Sequence, residues 1–198
     1  MSIASELISL TADICQQRLL PPASWLHLPP ENPRDPHHKK FGVLVLADGS
    51  CGFFYTRLGD NLKQLRNKID EKQILGTPVL DLAEGYDNAN LVKRSLGLGA
   101  LNAIAQHVFS RSAGVLQSDV DPLGQLDLNI SHQVGMVGYF KPLVRMLKDQ
   151  RVPVTVIEKD EGYFDYDGLV DVTLDVGALK RCDRVLITAS TLLNRSWS

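Results

Sequence analysis

The chain has 198 residues, of which 44% are hydrophobic, enough for one large or two small domains with a real core. Its formal net charge of −2, with 21 Lys and Arg scattered along the chain, leaves no basic footprint for nucleic acid. Glu6 and Asp13 interrupt the amino-terminal apolar pattern and no basic start precedes a continuous apolar run, so neither a signal peptide nor a membrane span is expected, and the protein is assigned to the cytoplasm.

From Ser2 to Leu20 the apolar residues Ile3, Leu7, Leu10, Ile14 and Leu19 recur at helical spacing, and Pro21-Pro22 ends the pattern. Pro21 to Lys40 holds six prolines and reads as a surface loop without regular structure. Phe41 to Ala47, the turn Asp48-Gly49-Ser50 and Gly52 to Thr56 read as a hairpin. Asn61 to Ile74 puts Leu62, Leu65 and Ile69 on one helical face, and Val79 to Leu82 is a short apolar piece. Asn88 to Phe109 predicts a longer helix in which Gly97, Gly99, Ala100 and Ala103 leave room for close backbone approach, or two helices if the glycines split it. Ser118 to Ile130 lacks a period and reads as the connection between domains.

The last third reads as β-α-β-α-β. An apolar strand ends in the glycines of His132-Gln-Val-Gly-Met-Val-Gly-Tyr-Phe-Lys-Pro-Leu143, Pro142 suits the first turn of a helix, and further strands run from Val152 to Glu158 and from Arg184 to Ala189. Pro153 donates no ladder hydrogen bond, so the second strand is expected at an edge or with Pro153 at its first paired position, in the order 2-1-3. Asp175 is expected to cap a short helix through Arg181.

Cys15, Cys51 and Cys182 are odd in number, far apart and never form Cys-x-x-Cys, which argues against a disulfide framework and a structural zinc site; each reads as a small buried hydrophobe. His37 and His38 stand beside Lys39 and Lys40 and read as a solvated loop, while His107 and His132 are each alone in sequence.

Binding residues are expected where open α/β sheets place them, at the carboxyl ends of the strands. Gly135 and Gly138 allow tight passage from strand to helix, with the amides near Tyr139 and Phe140 aimed at a polar ligand or simply making a turn. Glu158 lies at the end of the second strand, 20 residues beyond Gly138 (158 − 138), where dinucleotide folds hold a ribose; a solvated loop glutamate is the alternative. Thr188, Ser190, Thr191 and Asn194 cluster after the third strand, as ligand contacts or as caps of the following turn. Asn102 sits in a small-residue helix and either reaches a ligand or stitches neighbouring backbone. Tyr55 and Thr56 end a strand and fit either role. No histidine-carboxylate pattern supports a serine nucleophile.

Four segments carry a family resemblance: Gly52-Phe-Phe-Tyr-Thr56, Gly97-Leu-Gly-Ala-Leu-Asn-Ala103, Val134-Gly-Met-Val-Gly-Tyr-Phe-Lys-Pro-Leu143 and Val185-Leu-Ile-Thr-Ala-Ser-Thr-Leu-Leu-Asn194. In their order the chain resembles the putative heavy-metal chelation family. The resemblance implies an α/β fold class: a small α+β enolase-N-terminal-like domain over residues 1–125, then a short Rossmann-like parallel sheet over residues 126–198. It also implies a ligand pocket between the domains and a link to metal or metal-tetrapyrrole handling, without supplying a reaction. Family members of this kind run on beyond the Ser-Thr-x-x-Asn segment, so the Rossmann-like half is expected to be incomplete and to be covered by the first domain or by a second chain, making a homo-oligomer.

The expected ligand is a polar small molecule, a metal ion or a metal complex in the interdomain cleft, with no nucleic acid and no membrane as partner. Gly138, Tyr139 and Phe140 would form the floor, Glu158 one wall, Thr188, Ser190, Thr191 and Asn194 another, and Asn102 would face them from the first domain. Whether a reaction is catalysed stays open, with Glu158 the best candidate acid or base. Two alternatives remain beside this one, a nucleotide- or S-adenosylmethionine-using enzyme and a non-catalytic binding or assembly subunit.

Overall fold

The computed structural model describes residues 2–16, 18–31, 40–112, 126–159, 161–163 and 168–194. The fold is mixed α/β with one antiparallel sheet of three strands and one parallel sheet of four. The chain divides into two compact units, residues 1–116 with 192–198, and residues 117–191. His37, His38 and most of the expected connection from Ser118 to Ile130 lie outside the described residues. Among the described residues, no helix is long and apolar enough to cross a membrane.

The first unit opens with helix α1 (Ile3–Cys15), started by Ser2, whose hydroxyl accepts the Ser5 amide at 3.1 Å. Its sheet is β1 (Ala23–His27), β2 (Phe41–Leu46) and β3 (Cys51–Tyr55), in that order and antiparallel throughout. The hairpin from β2 to β3 is as expected: Gly49 takes the left-handed φ of +88° that the turn requires, and the Asp48 carboxylate accepts the Ser50 amide. Strand β1 corrects the expectation of an irregular loop over Pro21 to Lys40. Its five residues lie between the proline pairs 21–22 and 29–30, with buried Ala23 and Leu26 on either side of exposed Ser24 and Trp25, where the register against β2 shifts by a bulge.

The helix expected over Asn61 to Ile74 is two helices, α2 (Asn61–Lys68) and α3 (Glu71–Ile74). Ile69 is extended, and the Asp70 carboxylate then caps α3 through the Lys72 amide, so the cap overrides the apolar period. The apolar piece at Val79 is helix α4 (Val79–Glu84). Helix α5 (Leu91–Phe109) is one unbroken helix of 19 residues, capped by Asn90, and its glycines do not split it. They admit a neighbour instead. A Cβ at Gly52 of β3 would stand 2.0 Å from the Gly99 carbonyl oxygen and 2.4 Å from the Ala103 nitrogen, so strand and helix meet backbone to backbone. Leu26, Leu44, Leu46, Phe54, Leu65, Ala100, Ala103 and Ile104 close the core around that contact.

In the second unit the parallel strands β4 (Val134–Val137), β5 (Val154–Ile157), β6 (Val170–Thr173) and β7 (Arg184–Ile187) lie in the order β6-β5-β4-β7. The expected order 2-1-3 survives as β5-β4-β7, with β6 added outside it. Val170-Asp-Val-Thr173 is too short to announce itself, yet it pairs with all four residues of β5, which is therefore internal. Pro153 takes the place that avoids a lost bond: it precedes the strand and gives only its carbonyl, to the Val134 amide at 3.0 Å. Helix α6 (Lys141–Asp149), with Pro142 in its first turn, lays Val144 and Leu147 on Val134, Met136, Val154 and Val156. A 3-10 turn over Val176–Arg181 is capped by Asp175, which accepts the Gly177 amide at 2.8 Å. Helix α7 (Ser190–Asn194) follows β7, and its end belongs to the first unit, where Leu193 is buried and the Tyr86 hydroxyl donates to the Leu192 carbonyl at 2.7 Å.

Of the cysteines only Cys15 is fully buried; Cys51 and Cys182 are half-buried and all three are free thiols.

Candidate functional site

Parallel pairing brings the carboxyl ends of β4, β5 and β7 side by side, and with them Gly138, Glu158 and Thr188. Gly138 has φ +89°, in the left-handed region, and its amide donates to the Ile157 carbonyl at 2.9 Å. This turn throws the chain from β4 across the end of β5. The Tyr139 amide then meets the Glu158 carboxylate at 2.9 Å, and the other carboxylate oxygen accepts the Lys159 amide at 2.7 Å. Glu158 thus ties the β4–α6 turn to the end of β5, and it is half-buried rather than a solvated loop residue.

Tyr139 stacks on Tyr163, with ring centroids 4.5 Å apart and planes 21° from parallel. Tyr163, from a 3-10 turn over Glu161–Tyr163, is exposed, and so is Phe140 at the start of α6. The strand ends therefore carry an aromatic surface beside a fixed carboxylate. Tyr163 was not among the residues the sequence singled out, because its strand-like spacing to Tyr139 is absent and only the fold stacks them.

The hydroxyl cluster behaves as a cap. The Thr188 hydroxyl accepts the Ser190 amide at 3.3 Å and lies 3.1 Å from the Ser190 hydroxyl. The buried Thr191 hydroxyl donates back to the Thr188 carbonyl at 2.6 Å. Thr188, not Ser190 or Thr191, starts α7, and half-buried Ser190 keeps its hydroxyl at the edge of the strand ends. Gly138, Tyr139, Phe140, Glu158, Thr188, Ser190 and Thr191 are thus gathered in the second unit. Asn102 and Asn194 lie in the first unit, both exposed. The Asn102 amide donates to the Phe53 carbonyl at 2.7 Å, stitching α5 to β3.

A second polar cluster, in the first unit, escaped the sequence because 59 residues separate its members. His107 Nδ1 lies 2.8 Å from the Asp48 carboxylate, and the Arg111 guanidinium donates to the same oxygen at 2.7 Å. Burial would raise the Asp48 carboxyl, but hydrogen bonds from His107, Ser50 and Arg111 outweigh it and hold the group well below the usual carboxylate range. Burial also pushes the Cys15 and Cys182 thiols up, against the pull of Arg18 on the first and of Thr155 and Arg181 on the second. Among the described residues, no group of three or more His, Cys, Asp or Glu is placed to hold a metal ion.

Two family profiles match the chain, at residues 40–105 and 121–198, and both are described as putative heavy-metal chelation. An uncharacterized protein of Methanocaldococcus jannaschii is 28% identical over 116 residues, which is 58% of this chain and 42% of that relative. The chain thus spans less than half the length of that relative. A crystal structure of a protein of unknown function from Desulfitobacterium hafniense superposes with a TM-score of 0.64 at 20% identity, covering 97% of this chain and 72% of the other. One from Pyrococcus horikoshii, also of unknown function, gives 0.60 at 22% identity over 99% and 72%. At such identities these structures speak for the fold. With the profiles covering both units, the chain belongs to the putative heavy-metal chelation family.

Proposed function

We propose that the protein binds, in the cytoplasm, a polar small molecule or a metal already held in an organic complex, at the carboxyl ends of the parallel strands. The observation that carries this reading is the stacked Tyr139–Tyr163 pair standing beside the Glu158 carboxylate. An exposed tyrosine face accepts a flat ligand, and Ser190 and Phe140 supply one polar and one apolar neighbour.

A bare heavy-metal ion does not fit these donors. Such ions favour thiolate and imidazole, whereas among the described residues the ends of β4, β5 and β7 offer the Glu158 carboxylate, both of whose oxygens already accept backbone amides, and hydroxyls engaged in a cap. Cys182 lies before β7, at the opposite end of the strands from Glu158, and its thiol is raised. The family description is met more readily by a metal that brings its own organic ligand. Catalysis, if any, rests on Glu158 as acid or base, and it would have to exchange an amide contact to act.

The second reading, a nucleotide or S-adenosylmethionine site, is favoured by the position of Glu158 at the end of β5, next after the glycine turn. Thermal melting separates the two. With zinc protoporphyrin as a planar metal complex, the first reading expects a raised melting temperature that free zinc, copper and nickel ions do not give. Stabilisation by ATP or S-adenosylmethionine alone would select the second reading and reject the first.

We also propose that the protein is a homo-oligomer. The outer face of the antiparallel sheet carries Trp25, Phe41 and Phe53, each half or more exposed, with Phe41 against Tyr55 across the strands at 5.7 Å, and β1, β2 and β3 themselves contain no Lys, Arg, Asp or Glu. A second copy presents the same apolar face and so matches it.

A further inference from the structure

The Asp48–His107–Arg111 cluster holds more than a structural clamp requires. Its clamp function is clear: Asp48 in the hairpin turn takes hydrogen bonds from His107 and Arg111 at the end of α5, while Arg111 also donates to the His107 carbonyl at 3.1 Å. Those contacts use only one nitrogen of the imidazole. His107 is 6% exposed, its Nε2 has no hydrogen-bond partner among the described residues, and the ring lines an open pocket of about 680 Å³. A buried imidazole with one edge fixed by a carboxylate and the other facing a cavity is an oriented ligand group.

The rest of the pocket sets the sign of what it accepts. Arg18 lines it together with Arg111, is exposed, and makes no side-chain hydrogen bond among the described residues. Asp48 stays ionised and is already consumed by His107, Ser50 and Arg111. Two guanidiniums against one spent carboxylate leave the pocket cationic, and Leu20 with Pro21 gives it an apolar side. A cation is disfavoured there, which separates this pocket from any metal site.

We propose that this pocket is a binding site for the phosphoryl group of a small organic phosphate. Arg18 and Arg111 face the charged oxygens, and His107 Nε2 takes the remaining hydrogen bond. A phosphate monoester near neutral pH still carries a proton part of the time, so it both accepts and donates hydrogen bonds, whereas sulfate only accepts. The pocket volume exceeds that of the phosphoryl group itself and leaves room for the organic part along Leu20 and Pro21. The site lies wholly in the first unit, so it stands or falls apart from the strand-end site of the second.

Inorganic phosphate is the probe, with sulfate and chloride at matched ionic strength as controls, and the imidazole resonances of His107 are followed by NMR in the full chain. The expected result is a saturable shift with phosphate, weaker with sulfate and absent with chloride. Because Arg18 is exposed and outside the clamp, Arg18→Ala keeps the fold, and it is expected to weaken phosphate binding by about tenfold, the scale of one charge-assisted contact. No saturable shift with phosphate, an equal response to chloride, or an affinity unchanged by Arg18→Ala would each overturn the proposal.

Discussion

Gly138 shows how one residue fixes the site. Its φ of +89° is costly for any residue with a Cβ, and that Cβ would also press on Thr188 Cγ2 at 3.0 Å. Gly138→Ala is therefore expected to lower the free energy of unfolding by about 1–2 kcal/mol, read as a lower urea midpoint; an unchanged midpoint would mean the turn is not held as described. At this scale the sequence was informative about position and silent about partners. It marked Gly138 and Glu158 from the strand-glycine-helix pattern, but that the carboxylate accepts the Tyr139 amide depends on the register of β4 with β5. The stack of Tyr139 on Tyr163 and the pairing of Asp48 with His107 join residues far apart in the chain, and no local spacing encodes either.

Asp48 gives a prediction with a definite sign. Its carboxyl is held below its ordinary value in the folded protein, so its contribution to stability is complete above the unfolded value of about 4 and is lost as the pH falls from there toward the folded value. The difference in urea midpoint between the protein and Asp48→Asn should be large at pH 7 and should shrink by pH 3; a difference independent of pH would remove the hydrogen bond to His107 and the ion pair with Arg111 from the account.

Among elements, the contact of β3 with α5 is the least tolerant of change. A methyl at Gly52 meets backbone atoms at 2.0 and 2.4 Å, which no side-chain rotation relieves. Gly52→Ala is expected to destabilise by about 1–3 kcal/mol or more, the range of overpacked cores, seen as a fall in melting temperature; a neutral effect would show that strand and helix are not in backbone contact. Long or strongly patterned elements were legible: the hairpin, α5, α6 and the three apolar parallel strands. Those missed were short and decided by tertiary pairing. Strand β1 was hidden between proline pairs, β6 was four residues of mixed polarity, and the break between α2 and α3 came from a single capping aspartate.

For the molecule as a whole, the two units bury their cores separately, and each leaves apolar surface outside them. On the first unit this surface is the aromatic face of Trp25, Phe41 and Phe53; on the second it includes Val185 and Ile187 of the edge strand β7. Size-exclusion chromatography with light scattering should give a mass greater than one chain, and Phe53→Lys, at an exposed position, should return it to that of one chain with the circular dichroism unchanged. A single-chain mass for the unaltered protein at all concentrations would reject the self-association.

The central claim is that the strand ends of the second unit hold a polar ligand between a fixed carboxylate and an aromatic face. Native mass spectrometry of protein purified without an affinity tag, after incubation with zinc protoporphyrin, tests it most directly when Tyr163→Leu and Glu158→Ala are measured alongside. The account predicts a bound species on the unaltered protein that both variants lose while remaining folded by circular dichroism. A species retained equally by both folded variants, or none on the unaltered protein, would contradict it.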